Sequence, residues 1–216
     1  MNVRDALRRR VSANRYDTVA TVAAGTIEEL IAAAMEAPSA YNIQHARFLV
    51  VREPEARAAL QRIAHGQQKV RDAAATVVVL GDRRAAERLP LIAERAQRAG
   101  LFDATAAAAF AANGQAAYAG RPELARDEAI RSASMAAMAL MLAATELGLA
   151  TGPMIGFDPL ALAREFRLDE RYLPVMLIAL GPAAPGNWPR KPRLAAHEVL
   201  VADARPGQDH AFSPAA

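Results

Sequence analysis

The sequence predicts a domain of α+β or α/β class, in which strands alternate with helices along the chain. Short runs of valine, isoleucine and leucine, such as 77–80 and 175–180, have the length and composition of buried strands. The segments between them contain helix-capping residues and long stretches of alanine. A chain of 216 residues is long enough for one sizeable core, so we expect a single domain over 1–216, or one subunit of an intertwined oligomer.

In the first half of the chain, apolar periodicity and turn-forming residues predict seven segments. Thr26 is expected to cap the second helix, because Glu29 follows it three residues later. In chain order the segments are a helix over 2–10, a helix from 26 to about 37, a polar loop over 39–44, a strand over 47–51, a helix over 53–64, a short helical piece over 67–73 and a strand over 75–80.

The second half is dominated by a long predicted helix from Pro122 to about 147, which is apolar almost all round and is therefore expected to be buried. The alanine-rich residues 83–121 before it predict helical pieces that form a cap or lid. The remaining predicted segments are a loop over 151–157, a helix starting at 159, strands over 175–180 and 199–201, and an extended tail over 182–216.

The composition argues against several classes of function. The chain has no cysteine and four scattered histidines, so we expect no metal site. Its longest nearly apolar stretch, 133–144, is too short to span a bilayer, and no signal-peptide pattern is present, so we expect a cytoplasmic protein that binds no membrane. The 26 basic and 23 acidic residues nearly balance. The basic run at 8–10 fits a solvated helix face or a phosphate clamp equally well, and nucleic acid is not an expected partner.

Only two of the 26 basic residues are lysines, Lys69 and Lys191. Lysine offers a compact mobile charge and arginine a rigid planar fork, so the two are not equivalent at a binding site. Chance retention in an arginine-rich chain explains the two lysines as well as function does. Their neighbourhoods, Gly-Gln-Gln-Lys at 66–69 and Arg-Lys-Pro-Arg at 190–193, favour contacts with an anion or a cofactor.

The sequence contains none of the common motifs by which enzymes bind nucleotides or catalyse reactions with their own side chains. The chain has no P-loop, no dinucleotide-binding glycine motif after a strand, no nucleophile elbow and no His-Glu-x-x-His. Short polar or basic segments lie between long apolar ones, a distribution that suits a protein holding a cofactor which performs the chemistry itself. These segments are Arg-Val-Ser-Ala-Asn-Arg-Tyr-Asp at 10–17, Ala-Pro-Ser-Ala-Tyr-Asn-Ile-Gln at 37–44, Gly-Gln-Gln-Lys-Val-Arg-Asp-Ala at 66–73, Gly-Pro-Met-Ile-Gly-Phe-Asp at 152–158 and Arg-Lys-Pro-Arg at 190–193.

The order and spacing of these segments resemble the FMN-dependent nitroreductase family over nearly the whole chain. The resemblance implies an α+β fold with three layers, in which helices flank a central mixed or antiparallel sheet, and an intertwined homodimer with active sites at its interface. It also implies an oxidoreductase in which NAD(P)H reduces bound FMN and an electron-poor small molecule, such as a nitroaromatic or a quinone, is then reduced in a ping-pong cycle. FMN carries the chemistry, so no catalytic side chain is expected.

The resemblance carries the FMN contacts over motif by motif. Arg10 and Ser12 are expected at the phosphate and ribityl chain, where arginine forms bidentate charge-assisted bonds. Lys69 is expected at the pyrimidine edge of the flavin, where a cation stabilises the negative charge that develops on reduction. Residues 38–42 are expected to reach the flavin of the partner subunit. The expected contacts are Arg10, Val11, Ser12, Asn14, Pro38, Ser39, Ala40, Asn42, Gln67, Lys69, Pro153, Met154, Ile155, Gly156, Lys191 and Arg193.

The chain departs from the family pattern at several positions. His45 and Ala46 stand where the family usually has proline and tryptophan, Asn14 stands where many relatives carry a basic residue, and Ile155 stands where some nitroreductases have glutamate. The first change affects local packing, the second leaves more of the charge to Lys69, and the third alters the surroundings of the substrate. Tyr41 and Phe110 are candidate substrate contacts.

Two alternatives remain open from the sequence. The same scaffold supports other flavin reactions, including dehalogenation and dehydrogenation, and the region over 83–121 would decide between them. A non-enzymatic helical protein with basic ends that bind nucleic acid is the alternative from a different class, and it predicts a colourless protein with salt-dependent DNA binding.

Overall fold

The fold is built around a four-stranded sheet. The computed structural model describes residues 1–209, and residues 210–216, the end of the predicted tail, lie outside the described residues. All neighbouring strands are antiparallel, and the strands β1 (Ala46–Val51) and β3 (Ala150–Met154) form the two edges. The predicted strands over 47–51, 75–80 and 175–180 are confirmed. In the order β1-β2-β4-β3, the strands are β1 (Ala46–Val51), β2 (Ala75–Asp82), β4 (Tyr172–Gly181) and β3 (Ala150–Met154).

Helices pack on both faces of the sheet. The α-helices of residues 1–209, including those that do not touch the sheet, are α1 (Val3–Arg9), α2 (Ala24–Met35), α3 (Pro54–Ile63), α4 (Gln68–Asp72), α5 (Leu89–Arg98), α6 (Ala104–Tyr118), α7 (Pro122–Glu146), α8 (Pro159–Glu165) and α9 (Ala196–Val199). None of these described helices combines the length and the apolar composition that crossing a membrane requires.

The central strand β2 shows how the layers are built, because successive side chains of a strand point to opposite faces. Val77 and Val79 pack in a cluster with α2 and α7, whereas Val78 and Leu80 pack in a second cluster with α3, α4 and α8. Every residue of β2 is buried. The molecule is therefore an α+β structure with three layers, as predicted.

Helix α7 approaches β2 closely because the side chains that face the sheet are small. A Cβ atom on Gly81 would lie 2.8 Å from the carbonyl oxygen of Ala129, so only glycine fits at this point of contact. Ala133, Ala136 and Ala137 continue the buried face of the helix. The predicted central, buried helix is confirmed.

Three local predictions are wrong. Helix α2 begins at Ala24, so Thr26 lies inside the helix rather than at its cap. Residues 150–154 form β3 instead of a loop, because an edge strand tolerates a proline such as Pro153 that cannot donate a hydrogen bond. The strand predicted over 199–201 is absent from the described chain, where 196–199 form the short helix α9.

Residues 83–121 contain α5 and α6 and pack against the loop that precedes β1. A third apolar cluster joins Ile43 of that loop to Leu89 of α5 and Ala107 and Ala111 of α6. The helical content agrees with the prediction, whereas the role of this region as a cap stays a prediction.

Candidate functional site

The N-terminal segment over 10–16 runs along the exposed edge of β3. Ser12 and Thr151 form an isolated parallel bridge, and the backbone N–H of Ala13 donates to the carbonyl of Thr151 at 2.9 Å. Tyr16 crosses beneath β3, and its buried hydroxyl donates to the carbonyl of Ala179 at 3.1 Å. Because a Cβ on Gly152 would lie 2.6 Å from the carbonyl oxygen of Ala13, a glycine is needed for this close approach.

The tail that follows β4 is fixed onto the same segment by Asn187. Its side-chain oxygen accepts from the backbone N–H groups of Asn14 and Arg15 at 2.7 and 2.9 Å, and its side-chain nitrogen donates to the carbonyls of Arg15 and Ala184 at 2.8 and 3.0 Å. Arg190 then donates to the carbonyl of Leu7 at 2.7 Å. These bonds bring residues 187–193 over the C-terminal end of α1.

A positively charged cleft of about 240 Å³ lies between the two segments. Arg10 is half-buried there, and its Nη1 lies 3.5 Å from the hydroxyl of Ser12. Burial lowers the pKa of Arg10, and the nearby charges of Arg193 and Arg190 lower it further. Among the described residues no carboxylate lines the cleft, so it is suited to an anion. Its lining consists of Arg10, Val11, Ser12, Asn14, Trp188, Pro189, Arg190, Lys191 and Arg193.

Lys69 and Gln67 extend this site along the edge of the sheet. The Nζ atom of Lys69 lies 3.4 Å from the side-chain oxygen of Asn14, and the side-chain nitrogen of Gln67 donates to the carbonyl of Gly156 at 2.8 Å. Burial lowers the pKa of Lys69, which is half-exposed. Helix α4 therefore links the N-terminal segment to the turn that follows β3.

The turn after β3 presents both backbone and an apolar side chain. Met154 at the end of the strand is buried, Pro153 is half-buried, and Ile155 is 80% exposed. The side chain of Asp158 ends the turn by accepting the N–H groups of Leu160 and Ala161, which caps α8. The structure thus brings together the expected contacts of 10–14, 67–69, 153–156 and 191–193.

The expected contacts of 38–42 lie elsewhere in the same chain. They precede β1, at the sheet edge opposite to β3. The strand register places Gly152 of β3 level with Val51, the last residue of β1. The loop before Ala46 lies at the other end of β1, and it is therefore at the corner of the sheet diagonally opposite to Gly152. With about 4.8 Å between neighbouring strands, β1 and β3 are roughly 14 Å apart. Within one chain, therefore, the anion cleft is not in contact with the loop that contains Pro38, Ser39, Ala40 and Asn42.

The loop over 39–45 adopts a strained backbone. Tyr41, Asn42 and Gln44 have φ of 52°, 49° and 57°, a left-handed conformation that costs on the order of 1–2 kcal/mol for a residue with a side chain. The Ser39 hydroxyl accepts the N–H of Gln44 at 2.8 Å and closes the loop. The two candidate substrate residues meet here, because the rings of Tyr41 and Phe110 lie 6.0 Å apart in an edge-on arrangement.

Two residues with several contacts near the predicted site, Asn187 and Asp82, were not recognised from the sequence. Asn187 was missed because a single asparagine in a proline-rich tail gives no indication of its partners. Asp82 was missed because it ends a strand, where a carboxylate usually meets water, yet its side chain is fully buried beside Arg88 and Arg171. A charged residue at the end of a wholly apolar run is the one signal that could have drawn attention to it.

Comparison with known proteins decides the family. A family model described as "Nitroreductase family" matches residues 7–182. The chain belongs to the nitroreductase family. Among the relatives of this nitroreductase-family chain is the Bacillus subtilis protein named "Putative NAD(P)H nitroreductase YodC", which is 38% identical over 184 residues that cover 84% of this chain and 90% of that protein.

Solved structures show the same nitroreductase fold. One of them, from Exiguobacterium sibiricum, is described as "a putative nitroreductase in complex with FMN". It has a TM-score of 0.88 and 27% identity, and the match covers 93% of this chain and 97% of that one. Another is CLA-ER, described as an enone reductase of a gut-bacterial fatty acid saturation metabolism, with a TM-score of 0.81, 26% identity and coverage of 90% and 94%. Since the family consists of oxidoreductases, this chain is an oxidoreductase.

Proposed function

We propose that the protein is an FMN-dependent oxidoreductase that uses NAD(P)H to reduce electron-poor small molecules, such as nitroaromatics or quinones, in a ping-pong cycle. The observation that carries the proposal is the anion cleft, which lies at the end of a row of polar contacts leading to Lys69 and the turn after β3. The relatives named as NAD(P)H nitroreductases and the FMN complex from Exiguobacterium support the choice of cofactor and reductant.

The residues of the cleft fit the phosphate of FMN. Arg10, Lys191 and Arg193 would hold a group that carries nearly two negative charges, and Ser12 would donate a hydroxyl hydrogen bond. Burial, followed by the charges of Arg193 and Arg190, lowers the pKa of Arg10, and a bound anion would offset both effects by stabilising its positive charge. Val11 also lines the cleft, and its backbone would contact the same group.

Other residues fit the ring of FMN, which supplies the redox chemistry when bound. Lys69 would hold a positive charge at the pyrimidine edge and so stabilise negative charge there. Asn14 and Gln67 would orient this end of the site through the bonds that they make with Lys69 and with Gly156. The end of β3 and the turn after it, from Pro153 to Gly156, would contact the ring, with backbone N–H groups offered by Ile155 and Gly156 and the exposed side chain of Ile155 beside the substrate.

A second copy of the chain would complete the site. Pro38, Ser39, Ala40 and Asn42 lie across the sheet from the anion cleft, so we propose that they reach the cleft of a partner subunit in a homodimer. The region over 83–121 would then cap the substrate side with Tyr41 and Phe110, and the tail after residue 181 would cover the phosphate side.

A second candidate activity is the reduction of an activated carbon–carbon double bond at the same site. It is favoured by the likeness to CLA-ER and by the apolar, 80% exposed side chain of Ile155, which suits an apolar acceptor better than a charged one. Both candidates share the reductant and the cofactor.

The first test is spectroscopic. The protein should be yellow, or become so with added FMN, and its flavin absorbance should bleach when NADPH or NADH is added without oxygen and return when a nitroaromatic, quinone or enone is added. The acceptor that reoxidises fastest distinguishes the candidates. A protein that binds no FMN refutes the proposal, and salt-dependent DNA binding by a colourless protein would favour the non-enzymatic alternative.

The two lysines allow a sharper test of roles. Lys69→Ala should slow flavin reduction or lower the flavin potential, because it removes the charge beside the ring. Lys191→Ala should mainly weaken FMN retention, because its charge lies at the phosphate end. Equal losses of FMN in both variants, with unchanged potentials, would contradict this division.

A further inference from the structure

A buried carboxylate lies under the loop that precedes β1. The side chain of Asp82, at the end of β2, has no exposed surface and is surrounded by three arginines. Arg171 binds it with two parallel bonds of 3.0 and 2.9 Å, Arg88 donates at 3.1 Å, and Arg47 lies 3.9 Å away. A buried charge needs such partners to be tolerated, but three guanidinium groups are more than one carboxylate requires.

Two of these arginines also hold the backbone of the loop. Arg88 donates to the carbonyls of Ile43 and Gln44 at 3.4 and 3.1 Å, and Arg47 donates to the carbonyl of Gln44 at 2.9 Å and to that of Ala46. The carboxylate therefore binds the guanidinium group of Arg88 directly and attracts that of Arg47 through an ion pair, and other donors of both groups bind the loop.

The backbone of Asp82 adds a second attachment. Its N–H donates to the carbonyl of His45 at 2.9 Å, and the Nδ1 of the buried His45 ring lies 2.9 Å from its carbonyl oxygen. Because a carbonyl only accepts, this contact assigns the proton of the neutral ring to Nδ1. The end of the loop is thus bonded to Asp82 through backbone, ring and arginines.

The loop needs this support because of its strain. The left-handed residues Tyr41, Asn42 and Gln44 persist only where the surroundings determine their conformation. The bonds from Arg88 and Arg47 act on the carbonyls directly after the strained residues. The strained segment is also the one proposed to contact FMN in the partner subunit.

We infer that Asp82 is a positioning residue for FMN binding, which acts through Arg88 and Arg47 to hold residues 39–46 in the shape that meets the flavin of the other subunit. The inference rests on the proposed function, and its residues are not among the proposed FMN contacts. Asp82 touches neither the anion cleft nor Lys69, so its influence on FMN is exerted entirely through the loop.

Two variants of the same cluster separate positioning from stability. Arg88→Lys keeps a positive charge beside Asp82 but loses the fork that spans the carboxylate and the loop. Arg171→Gln removes two bonds from the same carboxylate and none from the loop, so it is the matched control. Both should lower the melting temperature. Only Arg88→Lys should raise the FMN Kd, by about tenfold, as expected for the loss of a charge-assisted bond.

These outcomes decide the inference through FMN fluorescence titration and thermal unfolding of the purified dimers. An FMN Kd for Arg88→Lys equal to that of the wild type, or an equal rise for Arg171→Gln, would overturn it. A wild-type protein that binds no FMN would instead overturn the proposed function, and the inference with it.

Mixed dimers test the action across the interface. One subunit carries Arg88→Lys, with its anion cleft intact, and the other carries Lys191→Ala, with its loop intact. If each loop serves the other subunit's flavin, one site combines an intact loop with an intact cleft, and the mixed dimer should bind one FMN with the wild-type Kd. Loss of affinity at both sites would show that the loop acts within its own subunit and would overturn this part of the inference.

Discussion

The substitution Gly152→Ala tests how the N-terminal segment is held against the edge strand β3. The added Cβ would lie 2.6 Å from the carbonyl oxygen of Ala13 and 2.7 Å from the hydroxyl oxygen of Tyr16. Neither neighbour yields easily, because Ala13 is bonded to Thr151 and the Tyr16 hydroxyl donates to Ala179 in a buried site. The segment must therefore move away from β3.

The cost follows from these contacts. Forcing one extra methyl group into a packed interior costs about 1–3 kcal/mol, and the loss of the Tyr16 hydrogen bond adds about 1 kcal/mol. We expect the free energy of unfolding to fall by about 2–4 kcal/mol, which for a domain of this size lowers the melting temperature by roughly 5–15 °C. FMN affinity should fall as well, because Arg10 and Ser12 belong to the displaced segment.

Urea unfolding followed by circular dichroism and an FMN titration measure the two effects. Gly25→Ala is the matched control, because a Cβ at this helical position meets nothing within 4 Å and alanine favours the helix by up to about 1 kcal/mol. If Gly152→Ala were as stable as Gly25→Ala, the close approach between residues 13–16 and β3 would not exist as described.

Three further substitutions test other contacts. Asn187→Ala removes three hydrogen bonds between the tail and the N-terminal segment and one within the tail, and it should raise the FMN Kd about tenfold; an unchanged Kd in a fluorescence titration would contradict this. Burial lowers the pKa of His45 below 6.5, so the folded state should lose stability as the pH falls below 6.5 towards that lower value. Urea unfolding between about pH 7 and pH 5 should show a smaller loss of unfolding free energy for His45→Gln than for the wild type, and equal losses in the two proteins would refute this expectation. Gly81→Ala should lower the free energy of unfolding by about 1–3 kcal/mol, because its Cβ meets the carbonyl of Ala129 at 2.8 Å, and a wild-type unfolding curve would refute that.

The fold was predictable where one physical effect determines the local structure. Val77 to Leu80 form a buried strand because nothing in that run competes with burial, and Asp158 caps α8 because its carboxylate reaches the free N–H groups. Pro153 misled the prediction, because proline is compatible with a strand only at an edge, and edge position depends on the pairing of distant strands.

The site was predictable only in part, for a related reason. The spacing of the motifs located Arg10, Lys69 and Lys191 through a family resemblance. The bonds made by Asn187 and the arginine cluster around Asp82 join residues far apart in sequence, and a single chain contains no signal of such pairs. Their roles became visible only from distances between atoms.

The anion cleft has a consequence for how the protein is made. Its two walls come from opposite ends of the chain, and the bond from Arg190 to Leu7 spans 183 residues. Synthesis proceeds from the N-terminus, so Arg10 is made before residues 187–193, and the cleft cannot form until those residues follow it. Every strand of the sheet is complete by residue 181, before the cleft exists. Binding of the proposed FMN phosphate therefore requires a chain synthesised at least to residue 193, and removal of the residues after β4 should weaken this binding while leaving the four strands of the described residues in place.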